Sequence, residues 1–400
     1  MHLTRIQSAL ALMCILSLAG CGDFLDVTNP GPVEDDALDR PEAMPALVHG
    51  MSSDLSYALS RMSYITALAA GEQSSSGSYL WTKAVAGGVM DIDEAPDVWG
   101  AMQRARWVAE SGLARMQAVL GSDFESSPLA ARAYLHAAYS NRMLGESVCQ
   151  AVFDGGPPGD PKQHFERAES HFTSALAIAQ SAGDAQAVSA ALAGRASVRA
   201  SLARWDEAVA DAEKVPIGFS YDAIFSLNSG RENNYFVSET YNRLEATEYG
   251  TEWAEVFGDP RVRWDTLYDA GGSVRKGQDG QTPVFQQRKY ATFADDIPLA
   301  KGTEMLLIRA EAVLRDDDVP GAVEFINQER AFYGLGDASA STPAEGWALL
   351  QRERGAVLWI EGRRLWDLRR WHAEGLNDFL EGRDDCIPPS REEQAANPNF

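Results

Sequence analysis

HFERAESHFTSALAIA, His164 to Ala179, places Phe165, Ala168, Phe172 and Ala175 at intervals of three, four and three residues. Side chains so spaced share one face of an α-helix, whereas a half-buried strand would alternate by two. The face mixes two phenyl rings with two methyl groups. A second helix can approach closely at the alanines while the rings fill the groove beside them. RWDEAVADAEKVP, Arg204 to Pro216, repeats the device with Trp205, Ala208 and Ala212, and Pro216 closes the run. Ala322 and Ile326, after the break at Pro320-Gly321, begin a third such face.

An aromatic followed by small residues at this spacing matches the second helix of a tetratricopeptide unit, which buries its face by stacking on neighbours. The interval from Phe165 to Trp205 exceeds the usual repeat. The expected units are therefore degenerate and embedded in a larger helical fold. Outward from them, Trp99 to Leu120 carries Met102, Ala105, Val108, Leu113 and Met116 at helical spacing, and Pro128 opens another run through Leu144. Helices are expected again over Thr303 to Leu314 and Ala344 to Trp371. The predicted class is all-α: tetratricopeptide-like helix pairs with long irregular loops. Between about Ile217 and Pro298 the period fades into Gly, Asn, Asp and aromatics. So long an irregular stretch is ordinarily functional or disordered, and its aromatic content speaks against disorder.

The N-terminus has a different character. Arg5 is the one full charge in the first twenty residues, and Ile6 to Gly20 is apolar or small except for Gln7. That is the layout of a secretory signal, too short to span a bilayer comfortably. Leu18-Ala19-Gly20-Cys21 places two small residues and an apolar one before a cysteine, as a lipoprotein signal peptidase requires. Cys21 is expected to be cut and acylated, with residues 1–20 removed. Residues 21–33, with Pro30 and Pro32, read as a tether that neither continues a helix nor joins a sheet. Residues 34–400 are expected to form one helical domain, with an N-terminal part near 34–216 and a C-terminal part near 217–400.

The formal charge is −23 and becomes one unit more negative when Arg5 leaves. So acidic a chain argues against nucleic acid and against lying flat on anionic lipid. Once Cys14 departs and Cys21 is acylated, Cys149 and Cys386 remain in an oxidising compartment, either as a bridge or as two buried thiols. No HExxH, P-loop or GxSxG pattern occurs. His164 and His171, two helical turns apart, read as a solvated helix face rather than a metal site. Asp91, Asp93 and Glu94 lack the glycine and later glutamate of a calcium loop and read as a solvated loop. No metal or cofactor is expected, and nothing favours the paired carboxylates of a glycosidase.

Three segments together resemble the SusD/RagB family of outer-membrane nutrient-binding lipoproteins. They are CGDFLDVTNPGPV after the lipobox, EMLLIRAEAVLRDDDVPGAVEFINQER from Glu304 to Arg330, and IEGRRLWDLRRW from Ile360 to Trp371. GDPRVRWD around Asp259 and the C-terminal CIPPSREEQAANPNF are similar to further family segments. The sequence departs from the family at Val357, where an acid is common. Glu361, Arg364, Asp367 and Arg370, three apart, read as structural ion pairs along a helix. The resemblance implies a SusD-like helical fold that caps a SusC-like TonB-dependent barrel, binds a nutrient outside the cell and hands it over without catalysis. An exported helical-repeat scaffold and a surface glycoside hydrolase are the alternatives.

Sugar recognition needs a ring for an apolar sugar face and amides or charges for the hydroxyls. GEQSSSGSYLWTK, Gly71 to Lys83, supplies that mixture in what reads as a loop. Gln73, Tyr79 and Trp81 are the expected ligand contacts. Tyr241, Trp253 and Trp264 in the irregular stretch are further candidates.

Overall fold

The periodic runs form helices in a computed structural model of the protein, which describes residues 35–90, 98–239, 246–247 and 258–400. The lipidation site Cys21 with its signal and tether, the acidic cluster at Asp91, Asp93 and Glu94, and the candidates Tyr241 and Trp253 lie outside the described residues. The chain divides into two compact units, Met1–Ala43 and Met44–Phe400. The described part of the first consists of two 3-10 turns, Asp35–Leu38 and Pro41–Ala43.

The second unit opens with α1 (Met44–Ala69), β1 (Ser74–Ser75) and α2 (Leu80–Ala86). Then come α3 (Val98–Leu120), α4 (Pro128–Ser147), α5 (Lys162–Ala182), α6 (Ala185–Ser201) and α7 (Trp205–Ala212). An irregular excursion holds β2 (Ser220–Ala223), the single turn α8 (Tyr235–Val237), β3 (Ala246–Thr247), β4 (Trp264–Thr266), β5 (Phe285–Gln287) and β6 (Ile297–Lys301). The helices resume as α9 (Gly302–Leu314), α10 (Val319–Phe332), α11 (Pro343–Val357), α12 (Arg364–Ala373) and α13 (Arg391–Ala396).

Successive helices pack in a chain: α3 on α4, α4 on α5, α5 on α6 and α6 on α7, with α1 lying across α3 and α4. The face that begins with Phe165 is the reason. Phe165, Ala168, Phe172 and Ala175 on α5 are all buried, and α6 comes so near that a methyl built on Gly194 would stand 2.2 Å from the Phe172 ring. The stack does not stop at the excursion. α7 packs directly on α9, and α9 carries α10 and α11 around a core of Leu314, Ala322, Ile326, Leu350 and Val357. Val357 is therefore an apolar core residue of this cluster.

The excursion is closed at its root by the antiparallel pair β2–β6, Ser220 opposite Lys301 and Ala223 opposite Ile297. Two more antiparallel pairs, β1–β3 and β4–β5, shape what lies between. Cys149 and Cys386 are joined by a disulfide with Cα atoms 5.0 Å apart. Beside it, the Cys149 N–H donates to the Ile387 carbonyl at 3.0 Å, tying the C-terminal segment to the end of α4.

Two expectations need correction. The run from Ala344 to Trp371 is not one helix, because α11 ends at Val357 and α12 begins at Arg364. Between them Ile360 (φ 52°) and Gly362 (φ 77°) are left-handed. The stop comes from distant residues: the Ile360 N–H donates to Glu72 at 2.9 Å, and Lys289 Nζ donates to the Trp359 carbonyl at 2.6 Å. Glu361 is consequently off the helix and pairs with Lys289 (2.5 Å) and Lys301 (2.6 Å) rather than with Arg364. The Asp367–Arg370 pair along the helix is present, at 2.9 Å.

The histidines of α5 are packed inward rather than solvated. His164 is fully buried, with Nδ1 3.0 Å from Asn141 Oδ1, and His171 Nε2 lies 3.2 Å from Glu110. Burial, with Arg106 nearby, lowers the His164 pKa to about 3, so the ring is neutral. Burial pushes the Glu110 carboxyl up, but His171, Asn141, Arg106 and Arg167 outweigh it and hold it near 2. The face is a buried polar seam between α3, α4 and α5.

Candidate functional site

The chain leaves α1 through Gly71, and the N–H groups of Glu72 and Gln73 both donate to the Ala67 carbonyl, at 2.9 and 3.1 Å. Ser74 and Ser75 then pair with Thr247 and Ala246. The loop ends sooner than its composition suggests: Leu80 starts α2, and Tyr79 is its N-cap residue. Thr82 Oγ1 donates to the Tyr79 carbonyl at 2.9 Å and lies 2.7 Å from Ser75 Oγ, which fixes the first turn of α2 against β1.

The turn of the β4–β5 ribbon packs on this segment. Asp279 N–H donates to the Ser76 carbonyl at 3.2 Å, Ser78 Oγ donates to Gln278 Oε1 at 3.2 Å, and Lys83 stands 4.0 Å from Asp279. Asp279 is a turn former here, accepting from Gln281 N–H, Thr282 N–H and Thr282 Oγ1. Those bonds outweigh its slight burial and keep its carboxyl below the usual range. The result is a rim made of the first turn of α2 and the tip of the ribbon. It presents Tyr79 and Leu80, 43% and 72% exposed, beside a hydroxyl, an amide, a carboxylate and an ammonium.

The expected contacts distribute unevenly over this rim. Tyr79 is on it. Trp81, the second residue of α2, is half-buried, its ring edge-on to the buried Tyr64 with centroids 6.2 Å apart. Gln73 is 2% exposed, so its amide does not face solvent. Trp264, half-buried and edge-on to Phe285 at 5.4 Å, is toward the other end of the ribbon. The five residues from Thr282 to Gln287, the partner of Trp264, put it about 15 Å from the tip. Ser78, Leu80, Gln278 and Asp279 belong to the rim and were not among the candidates from sequence. Asp279-Gly280 was the available signal, a dipeptide favoured in tight hairpin turns.

Behind the loop, Glu72 is wholly buried and bonds the Ile360 N–H. Burial raises its pKa to about 8 against the pull of Arg364 and Lys289. Among the described residues no group of three His, Cys, Asp or Glu is placed to hold a metal ion. An exposed ring flanked by short polar groups suits a ligand with one apolar face and several hydroxyls.

Residues 222–399 match a protein-family model described as the SusD family. In three dimensions the chain is similar to a SusD superfamily protein from Bacteroides thetaiotaomicron VPI-5482, at 15% identity, with 90% of this chain and 97% of that one covered and a TM-score of 0.68. It is similar to another from Bacteroides vulgatus ATCC 8482, at 15% identity, with 90% and 97% covered and a TM-score of 0.67. A laminarin-binding SusD-like protein matches at 15% identity, with 90% of this chain and 100% of that one covered and a TM-score of 0.65. No curated protein sequence matches the chain. At these identities the likeness is one of fold, and the fold is SusD-like.

Proposed function

We propose, from the match of residues 222–399 to the SusD family model and the SusD-like fold, that this chain is a cell-surface lipoprotein that captures oligosaccharide without cleaving it and passes it to a SusC-like TonB-dependent transporter in the outer membrane. The observation that carries the reading is the rim at Tyr79, where an exposed ring stands among Ser78, Gln278, Asp279 and Lys83 on the start of α2 and the ribbon tip. A sugar ring stacks its C–H face on an aromatic and bonds its hydroxyls to such groups. A protein of the same fold binds laminarin, which makes β-glucan oligosaccharides the first ligands to try.

The anchor follows from Leu18-Ala19-Gly20-Cys21, and no helix among the described residues is long and apolar enough to cross a membrane. The test is to incubate the purified chain with a panel of labelled oligosaccharides that includes laminarin fragments. Retention of at least one, with its length unchanged, is the expected result. Shortened products would overturn the non-catalytic reading, and retention of none would overturn saccharide binding.

A further inference from the structure

The N-terminal half of α1 carries His49, Ser52, Ser53 and Ser56 along one face, at spacings of three and four. Opposite them stand Ile224, Phe225 and Ser226, which follow β2, and then Arg231 and Glu232. Together these residues line a cavity of about 410 Å³, within the range of ~300–1,000 Å³ usual for small-molecule sites. Ser56 is 4% exposed, and its Oγ has no hydrogen-bond partner. A helix serine can satisfy itself on a carbonyl about one turn back, as Ser60 does on Tyr57 at 3.4 Å. Ser56 does not, and a buried hydroxyl left so is costly. It lines the cavity with an unused donor and acceptor.

The rest of the lining selects the kind of ligand. Arg231 is paired with Asp54, which Arg104 also contacts at 3.2 Å. Its guanidinium lies 4.4 Å over the Tyr57 ring, and Arg61 lies 3.5 Å from the same ring. The cations are therefore already engaged with a carboxylate and a ring. Glu232 accepts from Ser226 Oγ at 2.5 Å and Ser229 Oγ at 3.2 Å, and it would repel an anion. What remains is a wall of hydroxyls, a balanced donor and acceptor at the rim, and the apolar surface of Ile224 and Phe225.

We propose that this cavity is a second saccharide site that takes a single neutral sugar unit. Its hydroxyls would bond to Ser56, Ser52 and Ser53, and its C–H face would lie toward Ile224 and Phe225. It is separate from the rim at Tyr79: none of its lining residues belongs to that rim, and Trp81, two residues from Tyr79, leans on Tyr64, eight residues or about 12 Å beyond Ser56 along α1.

The test uses saturation-transfer NMR on the full chain carrying Tyr79→Ala, which removes the rim's contribution. The probes are methyl β-D-glucopyranoside and the corresponding methyl glucuronide. The neutral glycoside should be saturated, and Ser53→Trp, which fills the cavity from a half-exposed helix position, should weaken its binding at least tenfold. Ser56→Ala, which removes the buried hydroxyl, should weaken it severalfold, and it decides the matter if Ser53→Trp disturbs folding. Equal binding in the cavity variants, binding of the glucuronide alone, or no saturation of the neutral glycoside would each overturn the proposal. Oligosaccharide binding that Tyr79→Ala abolishes, with no saturation of the neutral glycoside in that variant, would uphold the rim while removing the second site.

Discussion

Glu304 and Glu311 stand two turns apart on one face of α9, each fully enclosed. Glu304 receives Arg363 at 3.0 Å and Arg354 at 3.2 Å, and Glu311 receives Arg370 at 2.6 Å and Arg315 at 2.9 Å. Burial pushes both carboxyls up, but the arginines prevail and hold each at about 2. Their folded pKa values thus lie below the unfolded value of about 4.3. The stability they contribute is present above that value and is lost as pH falls from there toward 2. Replacing Glu304 by Ala strands two buried guanidiniums and should cost about 3–5 kcal/mol in urea unfolding; a loss under 1 kcal/mol would contradict the network. Glu72 has the opposite sign. Its folded pKa near 8 means the protein binds an extra proton between about pH 4.3 and 8, so stability declines as pH rises through that window. Glu72→Gln should remove the decline and leave the variant more stable than the parent at pH 8.5, as read from melting temperatures in a pH series. The charged residues of IEGRRLWDLRRW were legible as ion pairs. Their partners were not, because spacing identifies neighbours on one helix and Glu146, Glu304 and Glu311 come from others.

Among the elements, the helices were legible wherever one face is apolar, since the same periodicity that buries the face marks the run. The break between α11 and α12 was hidden. The local sequence continues in helical spacing, and the stop signal is Glu72, almost 300 residues earlier in the chain. The ribbons β1–β3 and β2–β6 were equally hidden, because they pair across long separations that no local pattern records. The close contact of α5 and α6 is the most sensitive point of the helix stack. Gly194→Ala pushes a methyl into the Phe172 ring, and overpacking of this kind should cost about 1–3 kcal/mol. The measurement is the shift in urea midpoint at unchanged slope. An unaltered midpoint would mean the helices do not approach as closely as the Phe165–Ala175 face implies.

At the scale of the whole molecule, Met44–Phe400 is a helical stack with an irregular excursion. That excursion brings one turn of ribbon to the start of α2. Tyr79 and Trp81 were legible as candidates from composition alone. That Tyr79 reaches the surface while Trp81 leans on Tyr64 depends on where α2 begins, which the Ser- and Gly-rich run does not reveal. For the anchor, Cys21→Ala should move the protein from the membrane fraction to the soluble fraction in cells lacking the transporter. Continued sedimentation with membranes would contradict lipidation at Cys21. The central claim, that saccharide is held at the rim by Tyr79, is tested most directly by calorimetric titration of laminarin oligosaccharides into the parent and Tyr79→Ala, with melting curves beside them. A half-exposed ring fills little core, so the melting temperature should hardly move while affinity falls by about 1–3 kcal/mol, roughly 5- to 150-fold. Equal affinity in the two proteins, or a parent that binds no oligosaccharide, would contradict it.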